Sequence, residues 1–169
     1  MHVELIGDTT VRMAPGMYSW CALLTFAIPV AVSGTDLIDS VLTHPRYHHD
    51  CASPWTGKPD SVHGPYRLDS LNADGFQRCS HADAVATLWS WPATNLNPWV
   101  SAEFLLSREL VMAWTAPILS TADEIYRLSV PREGNEHSYG WVVGLCGFHE
   151  FIAVCRPRGS ATVIIATDD

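Results

Sequence analysis

The end of the chain constrains its fold most: "HEFIAVCR" and "ATVIIAT" flank the turn-forming "PRGS". Two runs of β-branched and aromatic residues around a Pro- and Gly-containing break read as paired strands. With "YGWVVGL" ahead of a "CG" turn, they predict a closing β meander. The start reads the same way. "HVELIG", "TTVRMAP" and "YSWCALLTFAIPV", separated by "GD" and "PG", predict three strands.

Helical signals fall between these ends. "VSGTDLIDSVLTHP" offers a Ser or Thr cap, acidic residues in the first turn, Leu37, Ile38, Val41 and Leu42 at helical spacing, and Pro45 as a stop. His44 to Pro65 is rich in His, Pro, Gly and Asp, which predicts a long surface loop after a short strand at Tyr47. "PYRLDSL" and "GFQRCS" read as short extended segments. "SHADAVATLWSW" reads as a helix capped by Ser80, with Asp83 in its first turn. Periodicity leaves "WVSAEFLL" and "ELVMAWTAPIL" open between strand and helix. Strands at both ends with helices between them predict an α+β fold, in one domain of 169 residues.

Charge narrows the partners. The net charge is −8 with 17% charged residues. Binding phosphate backbones relies on clustered Lys and Arg, so a nucleic-acid partner is not expected. Cysteines 21, 51, 79, 146 and 155 are odd in number and contain no C-x-x-C, which fits a reducing cytoplasm. "MYSWCALLTFAIPVAVSG" resembles a signal-peptide core, but Glu4 and Asp8 precede it and Pro29 interrupts it. It also falls short of the roughly 18 apolar residues of a membrane span, so a buried strand is expected and no membrane. Seven tryptophans suit a pocket for flat ligands, although core filling is the commoner use of large aromatics.

"RYHHDCASPW" concentrates chemistry in ten residues. His48, His49, Asp50 and Cys51, with Cys79 and His81 of "CSH", are all metal-ligating types, yet their spacing matches no common zinc motif. Neighbours on a strand also point to opposite faces, so His48 and His49 would not ligate together and no metal is favoured. Cys51 or Cys79 with His81 would form a Cys-His nucleophile pair only if the fold brought them together.

The segment Tyr47–Trp91 resembles an uncharacterised bacterial family, the domain of unknown function nine-fifty-two. That family shows a Tyr-His, a Trp, a Tyr, a Ser-Leu, a Gly-Phe and a Cys-Ser leading into a helix. Tyr47, His48, Trp55, Tyr66, Ser70, Leu71, Gly75, Phe76, Cys79 and Ser80 follow that order. A later His-x-Tyr-Gly signature is similar to His137, Tyr139 and Gly140. Three departures stand out: Arg78 replaces a His, Asn135 and Glu136 replace a Phe-Pro, and Thr115 takes the acidic place of a Trp-Glu pair.

The resemblance implies an ADP-ribosyltransferase-like core with a mixed or split β-sheet at 44–140. The strands of 1–43 and 141–169 would then be additions. NAD or a related nucleotide would be the ligand, and glycosidic-bond transfer or hydrolysis the reaction. His48 would bind ribose hydroxyls and Ser80 would orient the catalytic group, with Tyr139 as the third catalytic candidate. Tyr47, Trp55, Arg67, Arg78 and His137 would contact the ligand, the two arginines as a phosphate clamp. Glu103, Glu109, Glu124, Glu133 and Glu136 are the substitutes for the missing carboxylate. The rival expectation is a non-catalytic acidic interaction protein, such as an immunity or inhibitor protein, or a homodimer. Convergence of His48, Ser80 and Tyr139 on one cleft separates the two.

Overall fold

One antiparallel sheet carries the molecule, and strands from the two ends of the chain pair inside it. The structure is a computed structural model that describes residues 2–13, 19–29, 31–49, 51, 61–93, 101–139, 143–144 and 147–168. The strands are β1 (Glu4–Arg12), β2 (Ser19–Ala27), β3 (Val62–His63), β4 (Tyr66–Arg67), β5 (Phe76–Arg78), β6 (Glu124–Leu128), β7 (His149–Cys155) and β8 (Ser160–Asp168). The helices are α1 (Gly34–Leu42), α2 (His81–Ser90) and α3 (Ser101–Ser120). Six strands join in the order β1-β2-β8-β7-β6-β5, while β3 and β4 form a separate ribbon. The fold is therefore α+β. Every pairing is antiparallel, so the large sheet is not mixed.

Side-chain alternation along β2 explains its nearly continuous apolar sequence. Trp20, Ala22, Leu24 and Phe26 enter one core, together with Leu37, Ile38, Val41 and Leu42 of α1. Cys21 and Leu23 enter the other, with Ala84 and Leu88 of α2 and Val111 and Leu119 of α3. A strand covered on both faces needs apolar residues at odd and even positions alike. Each fully buried Leu or Phe contributes about 1.5–3 kcal/mol. Burial also pushes the Cys21 thiol up to about 12, which leaves it a packing group.

Several expectations change in the folded chain. "GD" is not a turn: β1 runs through it, with a register shift between Leu5 and Gly7 that absorbs the break as a bulge. Two strands thus replace the three expected at the start. Tyr47 lies in a turn, not a strand. "WVSAEFLL" and "ELVMAWTAPIL" share the single helix α3 from Ser101 onward. Strand β6 was unanticipated because its sequence, "EIYRL", buries only Ile125 fully. Of "YGWVVGL", Tyr139, Val143 and Gly144 stand outside any strand, and the rest lie outside the described residues. The terminal strands share one sheet with β5 and β6 of 44–140, and β2 and β8 are neighbours inside it.

Ser33 and Ser80 cap α1 and α2 as their sequences require. Each Oγ accepts the backbone N–H three residues on, from Asp36 and Asp83, at 3.1 Å. Among the described residues, no helix is long and apolar enough to cross a membrane.

Candidate ligand-binding site

A cavity of about 220 Å³ lies over one end of the β1-β2-β8 surface. Thr10, Ala22 and Ile165 are lateral partners across the three strands and line it as one row. Trp20 and Leu24 extend this floor along β2. Arg46, Tyr47, His49, Cys51 and His63 face it from the opposite wall, and Arg12 completes the lining. The histidine-rich stretch is therefore a wall of the cavity.

That wall hangs on the β3–β4 ribbon. His63 Nδ1 meets the Tyr47 carbonyl at 2.6 Å, and the Gly64 N–H donates to the His49 carbonyl at 2.9 Å. Gly64 turns the ribbon with φ +51°, and a Cβ there would fall 2.2 Å from the Phe148 ring. Glycine is required on both counts. At the other end, Arg46 donates from Nε and Nη2 to the two Asp8 oxygens, at 2.6 and 3.2 Å. This fork ties the wall to edge strand β1.

Behind the wall sits a buried polar cluster. His63 Nε2 is 2.7 Å from Glu150 Oε2, with both side chains fully buried. The Tyr47 ring stacks on the His63 ring at 3.6 Å between centroids, and Phe148 meets it edge-on at 5.7 Å. A carbonyl only accepts, so Nδ1 carries a hydrogen; one further proton joins Nε2 and the carboxylate. Both ring nitrogens are thus occupied, and His63 braces the wall instead of exchanging protons with a ligand. The Tyr47 hydroxyl lies beside Glu150, whose charge and hydrogen-bonding act on it, although among the described residues neither it nor Glu150 Oε1 makes a hydrogen bond of ordinary geometry. Burial, followed by the Glu150 charge, holds the Tyr47 phenol well above its ordinary range.

Cys51 and His49 stand closer to the cavity. The Cys51 N–H donates to His49 Nδ1 at 2.7 Å. Cys51 also has φ +54°, the one positive φ outside glycine among the described residues. Such backbone strain is concentrated at functional sites.

The residues singled out from the sequence do not gather in one place. Tyr47 lines the cavity. His48 points the other way: its Nε2 contacts the Leu42 carbonyl at the end of α1, at 2.9 Å. Tyr47, His49 and Cys51 line the cavity beside Arg46, while His48 between them turns toward α1. Ser80 and Arg78 line a different, open groove across β5. Tyr139 is 55% exposed. His137 is buried, where its Nε2 reaches the Gly64 carbonyl at 2.9 Å and steadies the ribbon turn. Arg67 lies on the surface, bonded to Asp69 and the Gly134 carbonyl. Since β4 pairs with β3 and β5 with β6, Arg67 and Arg78 occupy different sheets, and of the two only Arg78 is among the residues lining the groove across β5. Trp55 lies outside the described residues.

The acidic position is also settled locally. Thr115 is buried in α3, and its hydroxyl donates to the Val111 carbonyl at 2.8 Å. Among the proposed substitutes, Glu124 is held by Tyr126 and Arg156, and Glu136 by Arg132. The side chain of Glu103 lies outside the description. The two cysteine clusters sit on opposite faces of the sheet, with Cys51 in one core and Cys79 at the margin of the other. Compared with family models, with curated proteins and with solved structures, the chain matches none.

Sequence reasoning missed His63 and Glu150, and weighed His49 only as a metal ligand. Glu150 carried a signal: a lone acid at an inward position of "HEFIAVC", where burial of a charge demands a partner. His63 carried none, because its partner lies 87 residues away.

Proposed function

We propose that the chain binds a small, flat, anionic ligand in the cavity beneath Arg46–Cys51, of the class formed by NAD and related nucleotides. One observation carries this reading: Tyr47 and His63 stack as a rigid aromatic wall over buried Glu150, in a cavity lined also by Trp20 and by the cations Arg12 and Arg46. Aromatic faces suit a base or nicotinamide ring, and guanidinium groups suit phosphate. At about 220 Å³ the cavity is below the roughly 300–1,000 Å³ of pockets that enclose drug-sized ligands. It would take one ring-bearing end of a dinucleotide, with the rest outside.

Binding is better supported than glycosidic-bond chemistry. No carboxylate belongs to the described lining, and Thr115 offers none from α3. Kinship with an ADP-ribosyltransferase core rests on the sequence resemblance alone. The dispersal of His48, Ser80 and Tyr139 favours a second reading, a non-catalytic acidic interaction protein, in which the cavity is incidental.

Calorimetric titration of NAD into the wild type, Arg46→Ala, His49→Ala and His48→Ala separates them. The ligand reading expects saturable heat that Arg46→Ala or His49→Ala weakens about 10-fold or more, as for loss of a charged hydrogen bond, while His48→Ala retains it. Absence of heat at millimolar NAD removes the nucleotide reading and leaves the interaction protein.

A further inference from the structure

Among the described residues β1 is an outer strand of the sheet, and its hydrogen-bond phase fixes what it offers outward. The Met13 N–H donates to the Ser19 carbonyl at 3.0 Å, and these two residues continue the register in which Arg12 opposes Trp20. Directly opposite residues of an antiparallel pair alternate between exchanging hydrogen bonds and turning those groups away. Thr9 and Val11 therefore bond to β2 as Met13 does, while Asp8, Thr10 and Arg12 turn their backbone N–H and C=O groups outward. The far side of β2 agrees. The Ile28 N–H donates to the Gly159 carbonyl at 2.8 Å, so Trp20, Ala22 and Leu24 bond to β8 and leave Cys21 and Leu23 for β1.

The side chains of the same stretch form a self-complementary pattern. Asp8, Thr10 and Arg12 oppose Leu24, Ala22 and Trp20, which all enter the α1 core, so these three share one face. Thr9 and Val11 oppose Leu23 and Cys21 and share the other. Asp8, Thr9, Thr10 and Arg12 are exposed. The bulge at Ile6 breaks the register on the N-terminal side, which leaves 7–12 as the regular run.

We propose that two copies of the chain pair through β1, antiparallel across a two-fold axis at Thr10. Each Asp8 then lies opposite the partner's Arg12, on one face, with Thr10 opposite its own copy between them. Thr9 lies opposite the partner's Val11 on the other face. The residues whose backbone groups point outward are thus set against one another, and the ladder forms without a shift. Opposite charges and β-branched residues directly across an antiparallel pair are both favourable. Asp8 already accepts the Arg46 fork, but a carboxylate has about four lone-pair sites and can take a second guanidinium. The contact closes on itself, because the same strand serves both copies. Thr10 and Arg12 also line the cavity, so the pairing sets two cavities side by side on one face of a continuous sheet. The pairing itself requires no ligand in either.

Sedimentation of the full chain from micromolar to millimolar concentration tests this, with thermal melts to monitor folding. Edge pairing alone buries less than the roughly 1,200–2,000 Å² of stable complexes, so a reversible monomer–dimer equilibrium is expected. Thr10→Pro should weaken it about 10-fold or more at an unchanged fold, since proline deletes an outward N–H and is tolerated on an edge strand. Asp8→Arg and Arg12→Asp each set like charges opposite one another and should remain monomeric alone. Mixed together, the two variants should form a heterodimer, because every opposed pair is then of opposite charge. Where a charge variant loosens the wall that Arg46 ties to Asp8, Thr10→Pro still decides. A wild type that stays monomeric throughout overturns the proposal. So does a dimer indifferent to Thr10→Pro, which assigns association to another surface, or failure of the folded charge variants to associate on mixing.

Discussion

His63 and Glu150 lie 87 residues apart in the chain and meet at 2.7 Å with no access to solvent. The contact joins the β3–β4 ribbon to β7, and through His63 Nδ1 it also holds the Tyr47 carbonyl. One buried pair therefore locates the wall of the cavity.

Breaking that pair from one side should be costly. Glu150→Leu leaves a buried imidazole without its acceptor and should lose about 3–5 kcal/mol of stability. Combining it with His63→Phe removes the unpaired group and should recover much of that loss. Urea unfolding of the two single variants and the double variant gives the coupling; simple additivity would show that the pair is not a unit.

Tyr47→Phe deletes a buried hydroxyl that makes no hydrogen bond of ordinary geometry among the described residues. Stability should hold or rise by about 1 kcal/mol, since an unsatisfied polar group is lost at constant shape. A fall in thermal midpoint would mean that the hydroxyl is bonded to Glu150 in solution.

Gly64→Ala should destabilise the fold by about 1–3 kcal/mol, because φ +51° is strained for alanine and the new methyl meets Phe148. Phe148 also packs edge-on against His63 and Tyr66, so it has little room to yield. NAD heat should fall along with stability.

His149 sets a pH dependence. Its folded value of about 4 is below the ordinary 6.5, so the unfolded chain binds its proton more readily. The contribution is fully present above about 6.5 and is lost as pH falls from there through about 4. For a partly exposed ring the loss is on the order of 2 kcal/mol. His149→Gln should flatten the stability profile across that window; an unchanged slope would assign it to carboxylates instead.

Ser80→Ala tests a residue with two readings. As the cap of α2 it should cost about 1 kcal/mol and speed hydrogen exchange in the first turn of the helix. Restored stability with Ser80→Asp would identify capping as its contribution.

The sequence by itself determined the elements whose signals are local. A Ser or Thr cap announced α1 and Ser80 announced α2, since a cap and its helix lie within one turn. "HEFIAVC" and "ATVIIAT" announced β7 and β8 through their apolar runs. It also marked "RYHHDC" as the stretch to watch, and four of those six residues line the cavity. Only the tertiary structure decided the parity of that stretch, turning His49 inward and His48 toward Leu42, because a turn has no regular period to count from. It likewise decided that strands from the two ends of the chain share one sheet, and that His63 finds Glu150. Such pairings depend on which surfaces meet in the folded sheet, and no local pattern encodes the identity of a partner so far along the chain.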